Sequence, residues 1–326
     1  MVANGSGAIV GNRTGVLLMT FGSAVTADDV PAYLSSVRGG RAVADELVAE
    51  FQTRYRRIGR SPLIEITLEQ AAALQGLLDV EDGARCYLVR AGMLHSEPRI
   101  ARVIDELVAG GAAHIIAVVL SPQFSPIILA GYERALTAAR EAHPDVGIVR
   151  AGAWHMEPEW IESLATRVQE ALATLPAETP LIFTAHSLPK AVVDRDPAYI
   201  EQLRDTARAV ALQLGLAAGL WQFAYQSAGH TPEPWLTPDV KDLLPEMRER
   251  GVRTVLVVPV QFLTDHLELL YDIDIAAVDE AREHGIEMRR IAMPNAAPDL
   301  IRALAAVVHR EAAAQPRKYQ AAERRY

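Results

Sequence analysis

A histidine closing one apolar run and a row of acids just past another are the residues of this 326-residue chain best placed to do chemistry. His186 ends the run LIFTAH, ahead of a turn marked by Pro189. An imidazole at a strand end can take up a proton near neutral pH or give a metal a neutral nitrogen. The plainer alternative is a structural histidine held by hydrogen bonds. The stretch TDHLELLYDIDI places Asp265, Glu268, Asp272 and Asp274 just beyond VLVVPVQF. Glu268 and Asp272, four apart, would share one helical face, and aligned carboxylates can receive a divalent cation or pass a proton inward. A solvated acidic helix start produces the same pattern. In VRGGR, Arg38 and Arg41 flank two glycines, an arrangement suited to bidentate capture of carboxylate or phosphate and equally to a plain exposed loop. His95, in MLHSEP, is a second strand-end histidine, and Ser96 beside it is a candidate cap for the next helix.

These residues need strands and helices to hold them. Eight short apolar runs qualify as strands: GVLLMTF, ARCYLVRA, HIIAVVLS, VGIVRAGA, LIFTAHS, LWQFAYQS, TVLVVPVQF and IEMRRIA. Several lack alternation, as expected of parallel strands covered on both faces. Helix-period stretches separate them at 28–37, 41–55, 67–78, 98–109, 127–142, 159–173, 197–214, 238–249, 265–284 and 298–310. Thr237 followed by Pro238 and Asp239 reads as a helix start, with Thr237 as the cap and Pro238 in the first turn; Gly251 reads as its stop. The class is therefore α/β. MTFGSAVTADDVPAYL, RAGMLHSEPRIARVIDEL and VVLSPQFSPIILAGYERAL find weak counterparts in FTAHSLPKAVVDRDPAYI, YQSAGHTPEPWLTPDVKDLL and VVPVQFLTDHLELLYDIDI. Two similar lobes follow, with a boundary near 150–157 that divides the runs four and four. The expected division is a loose start over 1–14, lobes over 15–152 and 153–311, and a fraying tail over 312–326. Ligands of such sheets bind beyond the carboxyl ends of the strands, so the cleft between lobes is where chemistry is expected.

Composition removes several classes. With 32 Lys and Arg against 41 Asp and Glu, the net charge of −9 repels nucleic acid. The single cysteine, Cys86, allows neither an internal disulfide nor an ordinary iron–sulfur cluster. No phosphate loop, GxSxG elbow or HExxH zinc motif is present, and the Gly5 and Gly7 cluster follows no strand, making it a poor dinucleotide fingerprint. Neither a signal peptide nor a spanning apolar stretch is visible, so the expected location is cytoplasmic, without stable membrane insertion.

FTAHSLP, YQSAGHTPEPWLTPD, VPVQFLTDHLELLYDID and AMPNAAPDLIRAL, supported by LLMTFGSA, SPL and LHSEP, resemble the ferrochelatase family over residues 15–308. The wording is most similar to the coproporphyrin III enzymes of Gram-positive bacteria. The resemblance implies two similar Rossmann-like lobes, each a four-stranded parallel sheet flanked by helices, as in type II chelatases. It implies insertion of ferrous iron, as substrate, into a porphyrin, without nucleotide or iron–sulfur cluster, and passage of the product to a downstream haem-synthesis enzyme. Position by position, it implies catalytic and metal-binding roles for His186 and Glu268, facing each other across the macrocycle, with Asp272 behind Glu268. It makes Phe21, Arg38, Arg41 and Ser61 candidate substrate contacts, the last three toward propionates, the lip over 30–41 lacking a long apolar insertion. His95 and Gln123 are second-rank candidates.

Three departures stand out. Phe21 replaces a tyrosine able to approach iron, Ala276 interrupts an acidic row, and Gln123 stands where histidine is common. Competing readings are a protoporphyrin IX ferrochelatase, a cobalt chelatase of corrin synthesis and a non-catalytic haem or porphyrin carrier. Both His186 and Glu268 being present argues for a catalyst.

Overall fold

The structure is a computed structural model that describes residues 13–82, 86–229 and 232–314. The expectations for the first twelve residues and for most of the tail lie outside the described residues. The first lobe runs through β1 (Arg13–Thr20), a 3-10 turn (Ala27–Asp29), α1 (Val30–Val37), α2 (Asp45–Ile58), α3 (Leu63–Glu81), β2 (Tyr87–Met93), α4 (Ile100–Ala109), β3 (Ala112–Val119), α5 (Ala130–Ala142) and β4 (Gly147–Arg150). After α6 (Pro158–Leu172), the pattern resumes as β5 (Leu181–His186), α7 (Lys190–Arg195), α8 (Ala198–Gln213), β6 (Trp221–Gln226), α9 (Val240–Glu249) and β7 (Thr254–Pro259). It closes with α10 (Leu267–Leu270), a π-helical stretch (Asp272–Ala277), α11 (Val278–Glu283), β8 (Glu287–Arg290) and α12 (Pro298–Ala314).

All eight apolar runs are strands, in two parallel four-stranded sheets ordered β2-β1-β3-β4 and β6-β5-β7-β8. Both faces of each sheet are covered, because successive side chains of a strand point to opposite sides. In β1, Val16 and Leu18 enter a central cluster, while Leu17 and Met19 enter a separate one under α4 and α5. In β7, Leu256 and Val258 face the central cluster, and Val255 and Val257 face the outer one beneath α9. The central cluster spans both lobes through α3, α6, α8 and α12, and α12 packs on α3 as well as on α6. Emptying Leu18, which is fully buried, is expected to cost about 2–5 kcal/mol.

Local chemistry moves one predicted boundary and divides one predicted helix. Asp239, not Thr237, caps α9: its side chain accepts from the Lys241 amide, and Asp242 accepts from the Asp239 amide. Pro238 stays outside the helix because its carbonyl is taken by the Tyr225 amide. Gly251, at a φ of +84°, ends α9 as expected, with the Val252 amide reaching back to Met247 and the Gly251 amide to Arg248. The helix expected over 265–284 is instead three pieces. At its centre the Ala276 amide bonds the Tyr271 carbonyl five residues back, the wide turn that marks a π insertion.

Candidate active site

His186 ends β5 at the carboxyl edge of the second sheet. Its amide donates to Gln261 Oε1 at 2.8 Å, and Gln261 Nε2 donates to the Tyr199 hydroxyl at 2.9 Å. The ring's Nδ1 meets the Ser187 carbonyl. A carbonyl only accepts, so Nδ1 carries the hydrogen, and Nε2 of the neutral ring is left bare. That nitrogen lies 3.9 Å from Glu268 Oε1.

Glu268, in α10, is flanked on its other oxygen by His266, whose Nε2 is 3.6 Å from Oε2. His266 Nδ1 donates to the Thr264 carbonyl at 2.9 Å. Burial pushes the Glu268 carboxyl up, but His186 and His266 outweigh it and hold the group down to about 2. Burial pulls His266 down, and its hydrogen bond and charge interaction with Glu268 reverse the sign, leaving it raised. The site therefore pairs an ionised carboxylate with two imidazoles. The His186 and Glu268 side chains remain 26% and 38% exposed, open to a ligand.

This geometry corrects one expectation. A conjugated ring needs about 3.5 Å of clearance to each neighbour, so two groups 3.9 Å apart cannot straddle it. His186 and Glu268 form a single-sided donor set, one nitrogen and one oxygen, suited to a borderline divalent cation.

The four acids of TDHLELLYDIDI separate in space. Asp272 Oδ1 sits 3.3 Å from Arg54 Nη1, and Arg54 also holds Glu50 at 2.5 Å while lying over the Phe51 and Tyr271 rings. Burial raises the Asp272 carboxyl above its ordinary range, against opposition from Ser227 and Arg54. Asp265 and Asp274 turn away to one guanidinium, Arg290 Nη2, at 2.9 and 2.7 Å. Asn295, at a φ of +50°, clasps Asp265 by both backbone amide and carboxylate. Half of the acidic row is thus scaffold.

The remaining sequence candidates fall elsewhere. Phe21 is 42% exposed, its ring centroid 4.5 Å from that of His95. His95 Nδ1 bonds the Ser36 hydroxyl at 3.1 Å, and burial, with Arg99, depresses its basicity. Ser96 does not cap α4: its hydroxyl exchanges hydrogen bonds with the Ser23 backbone. Gly22, at a φ of +91°, permits that approach, since a Cβ there would stand 2.6 Å from Ser96 Oγ. Arg38 and Arg41 are exposed on the loop between α1 and α2, where Arg41 Nε donates to the Arg38 carbonyl. That excursion packs through Leu34 and Tyr55 against Leu267 beside Glu268.

Two candidates are not on the lip. Ser61 is 2% exposed, and its hydroxyl meets Ser23 Oγ, itself 2.8 Å from the Tyr55 hydroxyl. Gln123 is fully buried, donating to Thr206 and to the Val260 carbonyl, where it ties the first lobe to the second. Neither is presented to a ligand in this arrangement. Sequence reasoning missed Arg54, Gln261, His266 and Arg290. Gln261 and His266 lie in a quoted motif and Arg290 in a quoted strand run, but only three-dimensional proximity reveals their partners.

The ferrochelatase family model matches residues 13–312. A ferrochelatase of Deinococcus radiodurans is 36% identical, covering 92% of this chain and 96% of its own. A coproporphyrin III ferrochelatase of Geobacillus sp. is 37% identical over 91% of this chain and 97% of its own. SirB from Bacillus subtilis, solved with Fe3+, superposes with a TM-score of 0.59 at 14% identity, covering 92% of this chain and 96% of that one. CbiX, a terminal enzyme of sirohaem synthesis, does so at 0.51 and 16%, covering 93% of this chain and 100% of its own. These two confirm the type II chelatase fold. On the family match and on identities above one third along nine-tenths of its length, the chain belongs to the ferrochelatase family of metal-inserting enzymes.

Proposed function

We propose that this ferrochelatase inserts ferrous iron into coproporphyrin III, in the cleft between a porphyrin-holding lobe over 15–152 and a catalytic lobe over 153–311. The observation that carries the reading is His186 Nε2 held 3.9 Å from Glu268 Oε1, with Nδ1 turned to the Ser187 carbonyl so that Nε2 is the atom that can take a proton. Insertion releases both pyrrole N–H protons of the free-base ring as the dication enters. His186 Nε2 is the acceptor on the ring's face. Glu268 is too acidic to be a useful base at neutral pH, so its part is to offer a negative oxygen to ferrous iron. Asp272, with its raised carboxyl, takes protons onward. A ring held bent tips its nitrogen lone pairs toward the metal and favours the transition state over the flat substrate.

Phe21, exposed beside His95, supplies an apolar surface for the macrocycle. Arg38 and Arg41, on the exposed lip, are assigned to propionates; coproporphyrin III has four and protoporphyrin IX two. Ser61, buried in a cluster with the Ser23 and Tyr55 hydroxyls, is given a supporting role in place of a propionate contact. The work is assigned to the cytoplasm, with coprohaem passed to a later haem-synthesis enzyme; among the described residues no helix is long and apolar enough to cross a membrane.

The test is a side-by-side measurement of ferrous insertion into the two porphyrins at matched solubility. Coproporphyrin III is expected to have the higher kcat/KM. Faster turnover of protoporphyrin IX would reverse the substrate assignment while leaving the chemistry intact.

A further inference from the structure

Outside the His186 site, the carboxyl end of α3 carries a second group of donors. Glu81 is the last residue of α3 and Asp82 follows it; no basic residue lies in that last turn. Two anions at the negative end of a helix dipole repel it and each other, so the position favours a cation. A carboxylate pair at a helix end is ordinary by itself. The distinguishing feature is an imidazole delivered from another element: His309 of α12 places Nε2 2.8 Å from Asp82 Oδ2. One donor atom from each of Glu81, Asp82 and His309 lies within 4.8 Å of the others.

We infer that Glu81, Asp82 and His309 form a peripheral divalent-metal site that staples the C-terminal helix α12 to α3. The donor set, one imidazole nitrogen and two carboxylate oxygens, selects a borderline ion such as zinc or ferrous iron over the hard ions that prefer all-oxygen cages. Three protein ligands leave further positions to water, and both carboxylates are exposed, so the ion exchanges with solvent. A bound ion at this corner would oppose separation of the two helices, which bear on one central core. Cys86, whose Sγ lies 3.0 Å from the Asp82 carbonyl, is adjacent but outside the set.

Equilibrium dialysis of the whole protein against zinc chloride, without porphyrin, tests this. Wild type is expected to retain one equivalent more than His309→Gln or Asp82→Asn, because zinc bound at His186 and Glu268 is common to all three. Zinc should also raise the Tm of wild type and not of His309→Gln, and porphyrin metallation by His309→Gln should match wild type. Cys86→Ser should keep the extra equivalent. Equal stoichiometry in wild type and His309→Gln overturns the site, as does loss of the equivalent in Cys86→Ser, which would assign the metal to the thiol.

Discussion

Gln123 and Phe124 follow β3 of the first sheet; Gln261 and Phe262 follow β7 of the second. The two glutamines occupy comparable places in sheets of the same order, yet they are used differently. Gln261 bonds with both ends of its amide, aiming the His186 amide and holding the Tyr199 hydroxyl. Gln123 uses only its nitrogen, across the lobe boundary, and its oxygen has no partner. The strand ends differ in the same sense: β5 ends in His186, while β1 is followed by Phe21. In the proposed reading the second lobe's loops carry the proton and metal chemistry. The first lobe presents an exposed aromatic ring, Phe21, and a buried brace, Gln123.

The sharpest way to break this contrast is His186→Ala. If the second lobe alone carries the chemistry, kcat for iron insertion should fall by about 10²–10⁴-fold, the range for a positioned acid–base group. Porphyrin affinity, read by fluorescence quenching, should stay near that of wild type. Near-normal turnover would end the acceptor role.

Glu268→Gln is next, with a loss in kcat of about 10²–10³-fold, since an oriented charge in a partly dry site is removed. Its pH behaviour follows from sign. The folded carboxyl is held to about 2, so Glu268 remains ionised at any working pH. Its stabilising contribution is present above the unfolded value near 4.3 and is lost as pH falls through about 2. An acid limb in kcat/KM between pH 5 and 7 would therefore have to come from a group other than Glu268, an imidazole or the Asp272 carboxyl that burial raises. Replacing His266 by Gln removes one of the two groups holding Glu268 down, so that variant's carboxylate should titrate at higher pH. Infrared carboxylate bands followed with pH check it, and an unchanged titration would remove His266 from the arrangement.

The same pair shows how far sequence could be read. All eight strands were legible because β-strands covered on both faces are nearly unbroken apolar runs. His186 and Glu268 were legible because motif wording and strand-end position coincide. Their relation was not: nothing in AHSLP and DHLE tells whether the groups face across a ligand or sit together at 3.9 Å. The π turn was hidden as well, because DIDIAA has no proline or glycine to betray it, and an ordinary helical repeat reads through it. Ser61, a candidate contact, and Gln123, a second-rank one, are not separable from buried residues by sequence, because a buried polar group and a cleft-facing one have the same spelling. Partners such as Ser23 and Thr206 lie 38 and 83 residues away in sequence, and only folding brings them to bear.

The glutamines sharpen the comparison at smaller amplitude. Gln261→Leu strips partners from the His186 amide and the Tyr199 hydroxyl; leaving such groups unpaired costs about 1–3 kcal/mol. Loosened support for His186 should lower kcat several-fold while KM holds. Gln123→Leu removes an amide whose oxygen is already unpartnered, and Thr206 keeps its bond to the Gln202 carbonyl. The buried Val260 carbonyl loses its donor, so stability should fall by about 1–3 kcal/mol, with kcat unchanged. Denaturation curves and initial rates on both variants decide the matter: equal effects on kcat would erase the proposed division between glutamine as aimer and glutamine as brace.

The smallest expected effect is that of Phe21→Tyr, which tests whether the first lobe can be given chemistry. Phe21 is 42% exposed, so the added hydroxyl reaches solvent and buries no unsatisfied group, and stability should move by no more than about 0.5 kcal/mol. If insertion depends on His186 and Glu268 alone, kcat should stay within about twofold, since a group absent from the transition state does not change the barrier. What should change is the bound product. A phenol beside the macrocycle can bind iron axially once insertion is complete, shifting the visible absorption of the enzyme–product complex and slowing its release. A large gain or loss in the single-turnover rate would instead mean that the β1 end takes part in insertion, and the apolar role assigned to Phe21 would have to be given up.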